Sequence, residues 1–149
     1  MDLKEFLLIA KKSTYANENA EEIILGDRAK ELIYSEGCLL YRDRYFGGNP
    51  FSGEEVVFSD GKAIWIMNYY GKCLKSLFVK NVYDFLKKSL NAVSIDLPLR
   101  GPELFELNGF GYINKVEGDF YFFKGEEQIF LKDKLIYVCN YHGENCNVS

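Results

Sequence analysis

The sequence predicts a single α+β domain. The expected architecture is a curved antiparallel sheet of about seven or eight strands, with an N-terminal helix and one long helix packed on one face. Three observations lead there. The 149 residues match the usual size of one domain and suffice to bury roughly 70% of the surface of the unfolded chain. Two segments carry helical spacing of apolar residues, whereas the rest alternates with period two. Glycine-containing bends punctuate the alternating segments.

The first helix is read over residues 2–13. Asp2 and Glu5 have capping-box spacing, and Leu3, Phe6, Leu7 and Ala10 form an apolar stripe. Residues 16–29 are polar and read as a loop or a short second helix. Strands follow over 31–35 and 38–46, with a turn at Glu36-Gly37. Gly47-Gly48-Asn49-Pro50 must be a loop, because a strand interior does not tolerate that run. Strands over 52–59 and 62–70 flank Asp60-Gly61, a strong two-residue hairpin signal. The long helix fits 77–92, with Phe78, Val82, Phe85, Leu86 and Leu90 on one face. Pro98 and Pro102 bracket an irregular stretch. A meander then reads as four strands, 110–117, 119–124, 127–132 and 135–142, turning at Gly118, Gly125 and Asp133-Lys134. Residues 1–149 form one domain, with 144–149 as a flexible tail.

Composition narrows the function classes. A net charge of −4, from 18 basic and 22 acidic residues, argues against direct nucleic-acid binding. No run of about 18 apolar residues is present to span a membrane. The acidic start Met1-Asp2-Leu3-Lys4-Glu5 does not resemble a secretory signal, so a cytoplasmic location is expected. Cys38, Cys73, Cys139 and Cys146 lack metal-ligand spacing and stand beside a single His. No metal or cofactor is therefore indicated, and whether Cys139 and Cys146 pair is open. The aromatic load of 11 Tyr, 12 Phe and one Trp suits a sheet-rich fold or an aromatic-lined pocket.

Turn positions, with period two, sort the side chains. The Asp60-Gly61 turn places Val56 opposite Trp65, so Glu54 shares a face with Trp65, Met67 and Tyr69, and Glu55 lies opposite. Both faces of that hairpin are largely apolar, which makes it central in its sheet. The Asp133-Lys134 turn gives an aliphatic face (Ile129, Leu131, Ile136, Val138) and an aromatic, polar one (Phe130, Tyr137, Cys139, Tyr141). The long helix is expected on the aliphatic side, leaving the aromatic side to line a cavity or a dimer interface.

Tyr45-Phe46-Gly47-Gly48, Phe51-Ser52-Gly53-Glu54-Glu55-Val56-Val57 and Met67-Asn68-Tyr69-Tyr70-Gly71 resemble the signature of an uncharacterised bacterial and archaeal domain family. Arg100-Gly101-Pro102, Val116-Glu117-Gly118-Asp119-Phe120 and Tyr141-His142-Gly143 continue it, so the resemblance spans about residues 3–143. The family is a domain of unknown function that in some relatives follows an XRE-type helix-turn-helix. Residues before 31 leave no room for such a module. The resemblance implies no activity, cofactor or catalytic residue.

Several residues are singled out by their chemistry. The Gly-rich loop at 47–50 lacks phosphate-loop spacing and reads as a strand connection. Glu54, among apolar neighbours, would act as a general acid or pair with Arg42, Arg44 or Arg100. Asn68 is disfavoured inside a strand, and either closes the strand or faces a ligand. Arg100, held between prolines, offers a fixed guanidinium fork to a carboxylate or phosphate. Glu117 and Asp119 flank a hairpin tip, and His142 ends the last strand. The expected ligand site is Tyr41, Tyr45, Glu54, Trp65, Asn68, Tyr70, Arg100 and Tyr141, in a small-molecule-binding or sensor-type domain. Two alternatives stand beside it. One is a carboxylate-dependent hydrolase or isomerase, needing Glu54 in one cleft with Arg100 or His142. The other is a self-association or protein-interaction module, including a homodimer.

Overall fold

The computed structural model describes residues 1–17 and 19–146. Helix α1 spans Leu3–Ser13. Its capping box closes as the spacing predicts: the Glu5 amide donates to Asp2 Oδ1 (2.9 Å), and the Asp2 amide donates to Glu5 Oε2 (3.4 Å). The stripe Phe6, Leu7 and Ala10 is buried, and Lys11 with it. Among the described residues nine strands follow: β1 (Ile23–Ile24), β2 (Lys30–Glu36), β3 (Leu39–Gly47), β4 (Phe51–Ser59), β5 (Lys62–Cys73), β6 (Leu104–Leu107), β7 (Phe110–Asp119), β8 (Phe122–Leu131) and β9 (Lys134–Asn145). Helix α2, Val79–Asn91, lies between β5 and β6.

All nine strands form one open antiparallel sheet in the order β1-β2-β3-β4-β5-β9-β8-β7-β6. Five strands meander in from one edge. The chain then passes through α2 to the opposite edge and returns through β6 to β9, so that β9 pairs with β5. The β4–β5 hairpin is interior, as its two apolar faces predict. The fold class holds, with nine strands instead of seven or eight. Two changes produce that count. The predicted strands 119–124 and 127–132 are one strand, β8, because Gly125 sits inside it, where its missing Cβ leaves room for the Tyr141 ring. The edge strands β1 and β6 are added, and β6 joins β7 through Asn108-Gly109 with positive φ at both positions, a hairpin geometry. The expected tail at 144–149 is corrected at its start, where Glu144 and Asn145 belong to β9; residues 147–149 lie outside the described residues.

Both helices cover the same face of the sheet, and it is the aromatic and polar one. The expected assignment of the long helix to an aliphatic face is corrected by two registers. At β4–β5 a bulge between Val57 and Phe58 places Val57 opposite Trp65, and Glu55 opposite Met67. One extra residue flips every side chain beyond it, so Glu55 faces the helices and Glu54 does not. At β8–β9 the turn is Lys132-Asp133, both with positive φ, and a second bulge puts Ile129 opposite Tyr137. Ile129, Glu127, Tyr137, Cys139 and Tyr141 therefore share the helix-covered face, and all are buried.

The α2 stripe also differs in one place. Val82, Phe85, Leu86 and Leu90 are buried, but Phe78 is the left-handed N-cap and is exposed. Phe85 packs on Phe105 and Phe110 at the β6–β7 side, while Tyr83 meets Phe51 and Tyr137 near the middle. All four cysteines are free thiols. Among the described residues no helix is long and apolar enough to cross a membrane.

The β5–β9 contact depends on Gly71, opposite Cys139. A Cβ there would lie 2.5 Å from Phe51 Cζ and 3.0 Å from Cys139 Cβ. The Phe51 ring cannot yield easily, because Tyr69, Tyr83 and Tyr137 surround it. Gly71→Ala is expected to lower stability by about 1–3 kcal/mol in urea unfolding. An unchanged midpoint would mean that this packing is looser than the contacts imply.

Candidate functional site

Two-residue alternation brings ionisable residues from five strands onto the helix-covered face. The cross-strand row Asp43, Glu55, Met67 lies next to the row Tyr45, Gly53, Tyr69, Tyr141, Gly125. A further row carries Phe51, Gly71, Cys139, Glu127 and Asn114. Asp43, Glu55 and Glu127 are thereby held beneath the helices, each at most 2% exposed. Such burial is tolerated only with partners.

The partners come from outside the sheet. Lys11 of α1 donates to Glu55 Oε1 (2.8 Å) and to the Leu99 carbonyl, and its ammonium lies over the Tyr15 and Trp65 rings. Tyr41 donates to the same Glu55 oxygen (2.7 Å). Arg100, in the loop before β6, donates to Glu127 Oε1 (2.9 Å), which also receives Tyr137 (3.1 Å), while Tyr112 donates to Oε2. The Arg100 guanidinium lies over the rings of Tyr15 and Tyr69, 5.5 and 5.4 Å from their centroids. Tyr141 donates to Asn114 (2.7 Å), whose amide donates to the Gly101 carbonyl, and so ties the same loop to β7 and β9.

Asp43 differs from the other two acids. Tyr69 donates to its Oδ1, but among the described residues no cation bonds to it. Burial and the neighbouring Glu55 carboxylate push its pKa up to about 7, against the pull of the Tyr69 hydrogen bond, Arg100 and Lys11. Burial also lowers the Lys11 pKa, with Glu55 opposing. The same desolvation raises Cys139 to about 12 and keeps the buried tyrosines protonated as donors.

A cavity of about 360 Å³ opens above Asp43 between the end of α1, strands β2 to β5 and α2. Asp43, Tyr69, Arg100 and Tyr15 contribute its polar groups. Leu32, Phe51, Leu86 and Leu90 are apolar walls, with Tyr45 and Tyr83 amphipathic among them. Lys30, Lys80, Lys87, Glu22 and Asp84 supply charges of both signs around them. Two buried polar atoms here have no hydrogen-bond partner among the described residues, Arg100 Nε and the Tyr15 hydroxyl. A larger hollow of about 840 Å³ at the β6–β7 edge is lined by no buried residue. Among the described residues no three metal-ligating side chains converge.

Residues 43–145 match a domain of unknown function, DUF5680. The chain belongs to this family. No curated protein and no solved structure matches it. The DUF5680 segment contains Asp43, Glu55, Arg100 and Glu127, whereas Lys11 and Tyr15 precede it. The ion pair Lys11–Glu55 thus joins α1 to the family segment.

Of the residues singled out in the sequence, Tyr45 and Arg100 line the cavity. Tyr41, Trp65 and Tyr141 are buried on the same face and support its floor. Glu54, Asn68 and Tyr70 are on the open face, where Glu54, Asn68, His142 and Lys124 form one cross-strand row. Glu54 and His142 are two strands apart, roughly 10 Å, and Arg100 is on the other side of the sheet. Sequence reasoning missed Lys11, Asp43, Glu55 and Glu127. Lys11 was detectable, because it stands four residues after Leu7 and so extends the buried stripe.

Two outcomes follow from the buried charges. Lys11→Met leaves Glu55 without its cation and is expected to cost about 3–5 kcal/mol in denaturant unfolding. Adding Glu55→Gln should recover most of that loss, and a double variant no better than the single one would count against direct pairing. Asp43 has a folded pKa above its unfolded one, so the folded state binds the proton more tightly. Its contribution is full below about pH 4 and is lost as pH rises through about 7, a change of a few kcal/mol. Urea midpoints between pH 4 and 8 should therefore fall less steeply for Asp43→Asn than for the unaltered protein; parallel profiles would refute the assignment.

Proposed function

We propose that this domain binds a small molecule in the cavity between α1, α2 and the sheet, and acts as a sensor-type module. One observation carries the reading. An apolar-walled cavity of about 360 Å³ has, among its lining residues, a buried arginine and a tyrosine with unpartnered donors. Leaving a buried donor unpaired costs about 1–3 kcal/mol, and a ligand in this cavity would supply the missing acceptor. The volume lies in the range of small-ligand sites, which combine apolar walls with few convergent polar groups. Tyr45 and Arg100 would touch the ligand, and Tyr41, Trp65 and Tyr141 would hold the floor in place. Glu54, Asn68 and Tyr70 would take no part, since they face away. The resemblance to domains that in some relatives follow an XRE-type helix-turn-helix supports a sensing role by analogy.

Thermal melting against a panel of small metabolites tests this reading: a ligand that raises the midpoint in proportion to log concentration supports it. Tyr15→Phe should stabilise the free protein slightly, because it removes an unsatisfied hydroxyl, while weakening that ligand severalfold. A panel with no shift at millimolar concentrations would overturn the reading.

A further inference from the structure

The charges buried around the cavity floor do not balance. Three carboxylates (Asp43, Glu55, Glu127) face two cations (Lys11, Arg100), and all five are at most 3% exposed. Lys11 is committed to Glu55 and Arg100 to Glu127. Asp43 is left over, lines the cavity, and receives one hydroxyl from Tyr69. Arg100 and Tyr15 also line the cavity, and each has one buried donor, Nε and the hydroxyl, without a partner among the described residues. The cavity therefore offers one acidic acceptor in need of positive charge and two donors in need of an acceptor. Phe51 and Tyr83 add apolar and aromatic surface, which accepts a hydrocarbon body and tolerates an ammonium group nearby.

We propose that the cavity takes a small amine that bears a single positive charge and a neutral acceptor oxygen, with the ammonium on Asp43 and the oxygen at Arg100 Nε and Tyr15. This rests on the binding reading above and specifies its ligand class. An anionic ligand would place a fourth negative group beside two cations that are already paired. A zwitterion would bring as much negative charge as positive and leave the excess acid uncompensated. A monocation with a hydroxyl or amide oxygen brings the buried charge to zero and satisfies both donors.

The test uses three probes that share a phenyl body: phenylalaninol (cation with hydroxyl), 3-phenylpropan-1-ol (neutral) and phenylalanine (zwitterion). Titration calorimetry at pH 7 is expected to show phenylalaninol binding at least about tenfold more tightly than either analogue, a difference typical of one desolvated charge-assisted contact. Asp43→Asn keeps an acceptor for Tyr69 and should abolish that preference. In the unaltered protein, enthalpies measured in two buffers of different ionisation heat should report proton release with phenylalaninol and none with the neutral alcohol, which gives a readout even if the variant folds poorly. If the neutral alcohol or phenylalanine binds as tightly as phenylalaninol, the amine assignment is overturned while the binding cavity stands. If none of the three binds at millimolar concentration, the amine assignment is overturned; the cavity reading falls too only if the metabolite panel is also blank.

Discussion

Lys11 reaches from α1 through the core to Glu55, and Arg100 reaches from the loop before β6 to Glu127. These two contacts decide how the layers of the domain sit on one another. An ionised carboxylate beneath a helix is affordable only when its partner arrives in good geometry. The helix and the loop must therefore dock in the one arrangement that delivers those cations. Apolar packing would tolerate a shift of α1 along the sheet; a buried ammonium with two specified acceptors and two rings around it would not. Each acid also takes at least one tyrosine hydroxyl, so the 11 tyrosines are not simply good strand residues. Several are the proton donors that make the burial of charge bearable.

The sheet has to make room for those rings. Where a large aromatic residue lies on the covered face, its cross-strand neighbour is repeatedly glycine: Tyr69 beside Gly53, Tyr141 beside Gly125, Phe51 beside Gly71. At Gly71 and Gly125 the ring occupies the space a Cβ would need, and at Gly53 the Tyr69 hydroxyl shares it with the Arg44 carbonyl and Tyr45 Cβ. This explains why Gly125 ends no strand although it resembles a turn signal in the sequence. A glycine inside a strand marks either a break or a close approach, and only the partner across the ladder tells which.

The architecture was legible because it rests on local signals. The Asp2–Glu5 cap, the α2 periodicity and the Asp60-Gly61 turn each act within a few residues, and each is found in place. Asn108-Gly109 was an equally plain signal for the β6–β7 hairpin, hidden by the prolines just before it. The faces of the strands were not legible, and for one physical reason. A bulge at Val57/Phe58 and another at Ile129/Phe130 each add one residue to one strand, and period-two sorting inverts beyond them. The buried acids suffer most, because each stands beside another charged residue: Asp43 between Arg42 and Arg44, Glu55 after Glu54, Glu127 after Glu126. One of each pair must face the helices and the other solvent, and the adjacent pairs give no indication of which. Choosing Glu54 over Glu55 is a one-residue difference that puts Glu54, with Asn68 and Tyr70, on the open face, while Tyr41, Tyr45, Trp65 and Tyr141 lie on the covered one. Arg100 escaped it, since a loop residue held by prolines has no strand parity to lose.

A self-sufficient core network closes on itself, and two thirds of this one does. Glu127 takes a cation and two hydroxyls on its two oxygens, and Glu55 takes Lys11 and Tyr41 on Oε1, although its Oε2 has no partner among the described residues. Asp43 breaks the pattern. It is as deeply buried as the others, has no bonded cation among the described residues, and stands at the wall of a cavity whose lining residues Arg100 and Tyr15 each carry one donor without an acceptor. Were the site purely structural, an asparagine at 43 would serve Tyr69 equally well without the charge, and a phenylalanine at 15 would fill its place without an orphan hydroxyl. The presence of the costlier residue at both positions, around one cavity, is the pattern expected where part of the network is completed from outside the chain.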